Sequence, residues 1–501
     1  MPALATARRR RAWRPAGRRF LRLLLLLPLL AGAAPGQPEL RLACYDFPAS
    51  FNPVYATGET AQAVANKGYQ SLFRFDGQGR AVPELVDSYA LGADGAAIEL
   101  TLKPGARFAD GSPLTSEDVA ATVRLLRDPR FEYPYAADLD FLAGVGTTGP
   151  LGLRLRLRER YAPWKCYLTF KVLSARELRG AGPEAFRLSV PQGSGPYRLE
   201  KADPPRGFEL ARNPHWPGPL RFGRLRYDVL GEPRQAALKL LTGELDAAEV
   251  HGDDAAAYPR LKKWRRSFRL LPFRKFGYAY LAFNLRDPKL DLDLRRRFHN
   301  RLQATSFLDE FLQGRGDRVY SPFLFFGSEK KPRRLPVKAP GGSRRLRILT
   351  NSESSIRREL VLFLCQEMKP EGIDLKPEFL EYRMMLQRLK RGDFDLAVSA
   401  FLLDLDWNMK DVLASNGYFN YAGYSSREMD EALETGLREM DEGKRKQAYE
   451  RAHERWRQDL PLLPLFSPNS YMGVSRALTP PRERFELIGS CGDFFYQLQG
   501  W

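Results

Sequence analysis

The chain is poor in the residues that carry most hydrolytic and metal chemistry. Its four histidines, His215, His251, His299 and His453, lie far apart in unrelated contexts, without HExxH or related ligand spacing. A metal site would have to be built from carboxylates, and no local carboxylate cluster stands out, so we expect no metal and no cofactor. The four cysteines, Cys44, Cys166, Cys365 and Cys491, show no close paired spacing and do not read as zinc ligands. In an oxidising compartment Cys44 and Cys491 can pair if the chain ends meet in one domain, whereas Cys166 and Cys365 equally suit buried small hydrophobes. There is no G-x-S-x-G elbow, and Gly193-Ser194-Gly195 leads into a strand with no Lys-Ser/Thr after it. It therefore fits neither a nucleophile turn nor a phosphate cradle. With no repeat at fixed period either, the expectation is that the chain is not an enzyme.

What is present describes an exported, folded protein. Apolar residues make up 44% and charged residues 28% of 501, enough for two or three domains. The formal charge is +19, but eight of the arginines fall in the first 22 residues, and without them 71 basic residues face 60 acidic ones, or +11. Those arginines precede Leu23–Leu30, an apolar run interrupted by Pro28, and then small residues with an A-x-A site at Ala31–Ala33. This is the profile of a secretory signal peptide, too short for a comfortable membrane span. A disordered basic tail or one uncleaved anchor is the alternative. Arg41 occupies the position where lipidation at Cys44 would need an aliphatic residue.

Along the chain, residues 40–45 read as a strand and Thr60–Leu72 as a helix with Thr60 as its N-cap. Thr115 and Asp118 form a capping box, so Glu117 and Asp118 meet free N–H groups and the helix dipole rather than a substrate. Residues 151–161 alternate apolar side chains with arginine, as in a strand with one solvent face. Such a strand suits phosphate contacts, but solvated alternation is commoner and we expect no nucleic-acid partner. Lys262, Lys263, Arg265 and Arg266 around Trp264 read as a surface cluster. Residues 294–312 are helix-compatible. From residue 344 a strand–helix–strand–helix–strand series follows, an α/β pattern with a helix start at Ser354 or Ser355. The 31 Phe, 21 Tyr and 7 Trp suit either a cleft lining or a Phe-built core.

Several phrases occur in a characteristic order: FNPVYATGETAQAVANKGYQSLFRFDGQGRAVPELVDSY, LTLKPGARFADGSPLTSEDVAATV, GSGPYRLE, LARNPHWPG, LTGELDAAEV and YLAFNLRDP. In this series the chain resembles the bacterial extracellular solute-binding proteins of the oligopeptide/dipeptide type (family 5), from about Glu39 to Ser475. The resemblance implies an α/β two-lobed clamshell with three domains. Residues 1–36 are the signal peptide and leader; domain I takes 37–61, 190–275 and 475–501, domain II 62–189 and domain III 276–474. Cys44 and Cys491 then share domain I. The implied function is to bind a periplasmic solute, an oligopeptide, between the lobes and to deliver it, as a monomer, to the transmembrane subunits of an ABC-type permease. A non-peptide ligand, or a signalling or assembly role without transport, is the alternative. By the same resemblance Gly58, Glu59 and Thr60 lie beside peptide backbone, Ala400, Phe401 and Leu402 form the facing strand, and Asp404 receives the α-amine. The usual phrase around that aspartate is replaced by FLLDLDWNMKD, so Asp406 is the alternative acceptor and Trp407 a displaced aromatic wall. Otherwise both carboxylates simply face water at a strand end.

Overall fold

The structure is a computed structural model that describes residues 38–77, 79–250, 255, 257–303, 306–324, 332–338, 342–402, 406–479 and 487–488. The leader, Asp404 and Cys491 lie outside these residues. Strand β1 (Glu39–Cys44) is followed by a pair, β2 (Phe73–Phe75) and β3 (Ala81–Pro83). A four-stranded antiparallel sheet comes next, from β4 (Val86–Leu91), β5 (Ala97–Leu102), β6 (Leu142–Thr147) and β7 (Gly152–Leu157). The chain then returns through β8 (Tyr197–Asp203), β9 (Gly207–Arg212), β10 (Arg224–Val229), β11 (Ala247–Val250) and β12 (Phe268–Lys275). It continues into β13 (Gly277–Phe283), β14 (Gly316–Arg318), β15 (Arg344–Asn351), β16 (Ile373–Leu380), β17 (Leu396–Leu402), β18 (Leu462–Ser475) and β19 (Leu487–Ile488).

Among the described residues the main sheet has thirteen strands, ordered β16-β15-β17-β13-β18-β11-β1-β10-β9-β8, with β12, β14 and β19 branching off. Its shared element is β18. Residues Leu462–Phe466 pair with β13, while Tyr471–Val474 pair with both β11 and β12. The apolar cores divide accordingly: one runs from Tyr278 to Phe466, one from Val54 to Phe186, and two lie on the β1–β12 half. β13 is buried along its whole length, which is why GYAYLAF is apolar without alternation. β7 does alternate: Arg154 and Arg156 stand on its solvent face, and Arg154 pairs with Glu99 across the ladder at 3.0 Å. The arginine strand is thus a solvated sheet face.

The helices used below are α1 (Glu59–Gly68), α2 (Ser116–Leu126), α3 (Lys262–Ser267), α4 (Ser355–Glu367), α5 (Tyr382–Arg391), α6 (Arg427–Arg438) and α7 (Glu442–Asp459). α2 opens with the expected capping box: the Thr115 N–H and hydroxyl donate to Asp118 Oδ2 at 2.7 and 2.9 Å. The other Asp118 oxygen accepts from Ala175 N at 2.7 Å, so this carboxylate is structural. The stretch 294–312 is broken into Leu292–Leu302 and Phe307–Leu312.

α1 departs from the expectation at both ends. Its N-cap is Gly58, not Thr60, and it stops at Gly68 rather than Leu72. The Gly-Ser-Gly segment ends it: Gly195 N donates to Gly68 O at 2.9 Å, and a Cβ on Gly195 would sit 2.4 Å from Lys67 O. These glycines allow one backbone to approach another. Gly195→Ala is therefore expected to cost about 1–3 kcal/mol through forced backbone displacement, read as a lower urea midpoint at unchanged slope. An unchanged midpoint would contradict the close approach.

Candidate functional site

Strand directions bring three loops to one edge. β15 runs parallel to β16 through Asn351↔Leu380 and parallel to β17 at Leu349↔Ala397, while β13 runs antiparallel to β17 with Gly277 opposite Leu402. The carboxyl ends of β15, β16 and β17 thus lie beside the start of β13. That start follows directly on β12, whose ladder belongs to the other half of the sheet. In open α/β sheets the crevice outside the strand carboxyl ends is where ligands sit.

Of the residues expected in this lobe, Phe401, Asp406 and Trp407 are gathered here at or just after the end of β17, and Ala400 pairs opposite Ala279. Asp404 and the Leu402 side chain lie outside what the structure describes. Phe401 packs between two tyrosines of β13, its ring centroid 5.0 Å from Tyr278 and 4.4 Å from Tyr280. Burial pushes the Tyr280 hydroxyl up in pKa, with Ser399 opposing it.

Asp406 differs from both expectations for it. It neither faces water nor stands open: its carboxylate is buried, and both oxygens accept from Arg445 Nη2 of α7, at 2.7 and 2.6 Å. Asn408 N also donates to it, at 3.1 Å. The Arg445 guanidinium lies 5.3 Å from the Trp407 ring centroid and 5.4 Å from that of Tyr449. Burial disfavours its charge, but Asp406 more than offsets this and raises its pKa. The Asp406 charge is thus balanced within its own lobe.

Two buried polar atoms nearby have no partner among the described residues: Asn351 Oδ1, at the end of β15, and Arg357 Nε, in the first turn of α4. The Arg357 guanidinium forms no ion pair with a described carboxylate. Burial, opposed by Tyr382, Glu353 and Tyr280, pulls its pKa below the ordinary guanidinium value. Glu353 is already occupied, accepting from Asn351 Nδ2 at 2.8 Å and from Tyr382 N at the start of α5 at 3.1 Å. Leaving a buried donor or acceptor unpaired costs about 1–3 kcal/mol, and more for a charged group. An unpaired acceptor and an unpaired donor thus occur at this edge, on Asn351 and Arg357. Sequence reading missed both residues, because Arg357 looks like any polar position in a helical run. The usable signal was its place after the first strand of an α/β series.

In the other lobe, Gly58–Thr60 is braced on Asp46. The Thr60 hydroxyl donates to Asp46 Oδ1 at 2.5 Å, and Thr60 is buried while Glu59 is exposed. Cys44 is a buried, free thiol; burial first, then Asp46 and Asp228, pushes its pKa up to about 12. No described hydrogen bond or ion pair joins Gly58–Thr60 to Phe401–Trp407. The halves meet elsewhere: Ala162 N donates to Leu437 O at 2.7 Å and Arg438 pairs with Glu159 at 2.9 Å. A cavity of about 920 Å³ lies beside this contact, between Arg160 and the α6 side. It contains none of the expected ligand residues, and within it Glu434 bridges Lys410 at 3.1 Å and Arg438 at 2.6 Å.

Among the described residues no helix is long and apolar enough to cross a membrane. The oligopeptide-binding protein AppA of Bacillus subtilis (strain 168) is 21% identical over 474 residues, covering 86% of each chain. The solved ABC transporter substrate-binding protein CtaP of Listeria monocytogenes superposes with a TM-score of 0.78 at 18% identity, over 93% of this chain and 99% of its own. NikZ of Campylobacter jejuni, solved in complex with Ni(L-His), does so with a TM-score of 0.73 at 19% identity, over 92% and 99%. The fold is thus the two-lobed α/β clamshell. The sequence profile of the bacterial extracellular solute-binding proteins, family 5 Middle, matches residues 80–422, through both lobes. The chain is a binding protein rather than an enzyme, and it belongs to family 5 of the bacterial extracellular solute-binding proteins.

Proposed function

We propose that this protein binds an oligopeptide between its lobes and delivers it to an ABC-type permease. The reading rests on two unpaired buried groups, Arg357 in the first turn of α4 as a desolvated cation for a ligand carboxylate and Asn351 Oδ1 at the end of β15 as an acceptor for a ligand N–H. Phe401 and Trp407 flank this edge as apolar walls; Asp404 is the proposed partner of a free α-amine, and Gly58–Thr60 the proposed backbone contact from the other lobe. Main-chain recognition of this kind gives affinity without demanding one side chain. The reading includes a monomer, exported by residues 1–36 and acting outside the inner membrane. It also includes the three-domain division given above, with the border between domains I and III at the end of β18.

One observation favours a second reading, a non-peptide carboxylate solute: Asp406 is sealed by Arg445 and so is not available to a ligand amine. Native mass spectrometry of protein purified from its exporting host separates the two. A heterogeneous ladder of short peptides is expected; one homogeneous non-peptide molecule would replace the first reading with the second.

A further inference from the structure

Many cations of this surface stand beside carboxylates. In the β1–β12 half, Arg41 meets Asp246 at 2.8 Å, Arg224 meets Glu200 at 2.8 Å and Lys239 meets Asp228 at 3.1 Å. One patch gathers several that do not. Arg260, Lys262, Lys263, Arg265, Arg266 and Arg476 are all exposed, and none has a carboxylate partner among the described residues. They form one patch for structural reasons. Trp264 is buried under α3, stacked on Tyr258 at 5.1 Å and against Phe268 at 5.1 Å, so the helix turns its four cations outward. Arg476 is tied alongside: its N–H donates to Ser267 O and its Nε to Arg265 O, each at 2.8 Å. Leu261, 47% exposed, completes the face.

We infer that this patch is a docking surface for the anionic face of a lipid bilayer. Six unmatched cations on one short helix and its flanks repel one another, and an anionic surface relieves that repulsion by charge complementarity. None of the six lines the cavities of about 920 and 180 Å³. Trp264 is buried and no exposed aromatic lies in the patch to stack a base, which speaks against single-stranded nucleic acid. An exposed leucine among basic residues, on a protein of an extracellular family, suits headgroups and the acyl boundary.

The test is partition of the full chain onto vesicles of phosphatidylglycerol and phosphatidylcholine (1:1), against pure phosphatidylcholine, at low and high salt. Binding is expected on the anionic vesicles only, and weaker at high salt. Each cation near an anionic surface contributes about five-fold in partition, so K262Q/K263Q/R265Q/R266Q should lose about 100-fold or more. The charge-preserving set K262R/K263R/R265K/R266K should keep binding, which controls for folding. R80Q/R124Q/R130Q/R427Q removes the same charge from sites where each cation has its own carboxylate and should lose little. The N-terminal segment is common to all four proteins. The inference is overturned by equal binding to both vesicle types, by equal losses in the two glutamine sets, or by capture of an acidic permease subunit without vesicle binding.

Discussion

Arg445→Leu is expected to destabilise the protein by about 3–5 kcal/mol, because it strands the Asp406 carboxylate in a buried position with its countercharge gone. The pair is unusually enclosed for this molecule, with side-chain exposures of 11% for Arg445 and 5% for Asp406; most other ion pairs are far more open, and such surface pairs contribute little. The guanidinium also fills the space between Trp407 and Tyr449, so its removal loses packing as well. The double variant D406L/R445L separates the causes. Replacing both charges with apolar groups is expected to recover most of the loss, since a buried pair is often matched by apolar residues of similar volume. Urea unfolding followed by tryptophan fluorescence reads both variants. Equal losses in the single and double variants would assign the effect to packing rather than to the stranded charge.

Arg357→Gln is expected to leave stability nearly unchanged and to weaken binding of free-acid peptides by about 2–5 kcal/mol, or roughly 30- to 5,000-fold. The two effects part because the guanidinium makes no ion pair with a described carboxylate, so the folded protein loses little when it goes. A ligand carboxylate that had replaced its water with this partner loses much more. Titration calorimetry with matched free-acid and C-terminally amidated peptides gives the decisive comparison. Amidation should weaken binding to the native protein by a similar factor and add little in the variant. Equal affinity of both proteins for the free acid would remove Arg357 from the site. Arg357→Lys should fall between, because an ammonium keeps the charge and loses the bidentate fork.

These two residues also mark where sequence reading ends. Local patterns carried the elements well: the Thr115–Asp118 box, the alternation of β7 and the strand–helix series from residue 344 all depend on neighbours within a few positions. Thr60 failed as a cap because Asp46, fourteen residues upstream, takes its hydroxyl, leaving the N-cap to Gly58. The helix after Gly58 stops early because a segment more than 120 residues away lies against its end, at Gly195.

By itself the sequence determined the family and the α/β clamshell, because ordered motifs and hydrophobic periods are written in consecutive residues. Tertiary structure decided the state of each charge. Asp406 is neutralised by a residue 39 positions further on, Arg357 forms no ion pair with a described carboxylate, and the cations around Trp264 have no carboxylate partner among the described residues. A charge is paired or free according to what the fold brings within a few ångströms of it, and that distance is not encoded at any one position in the chain.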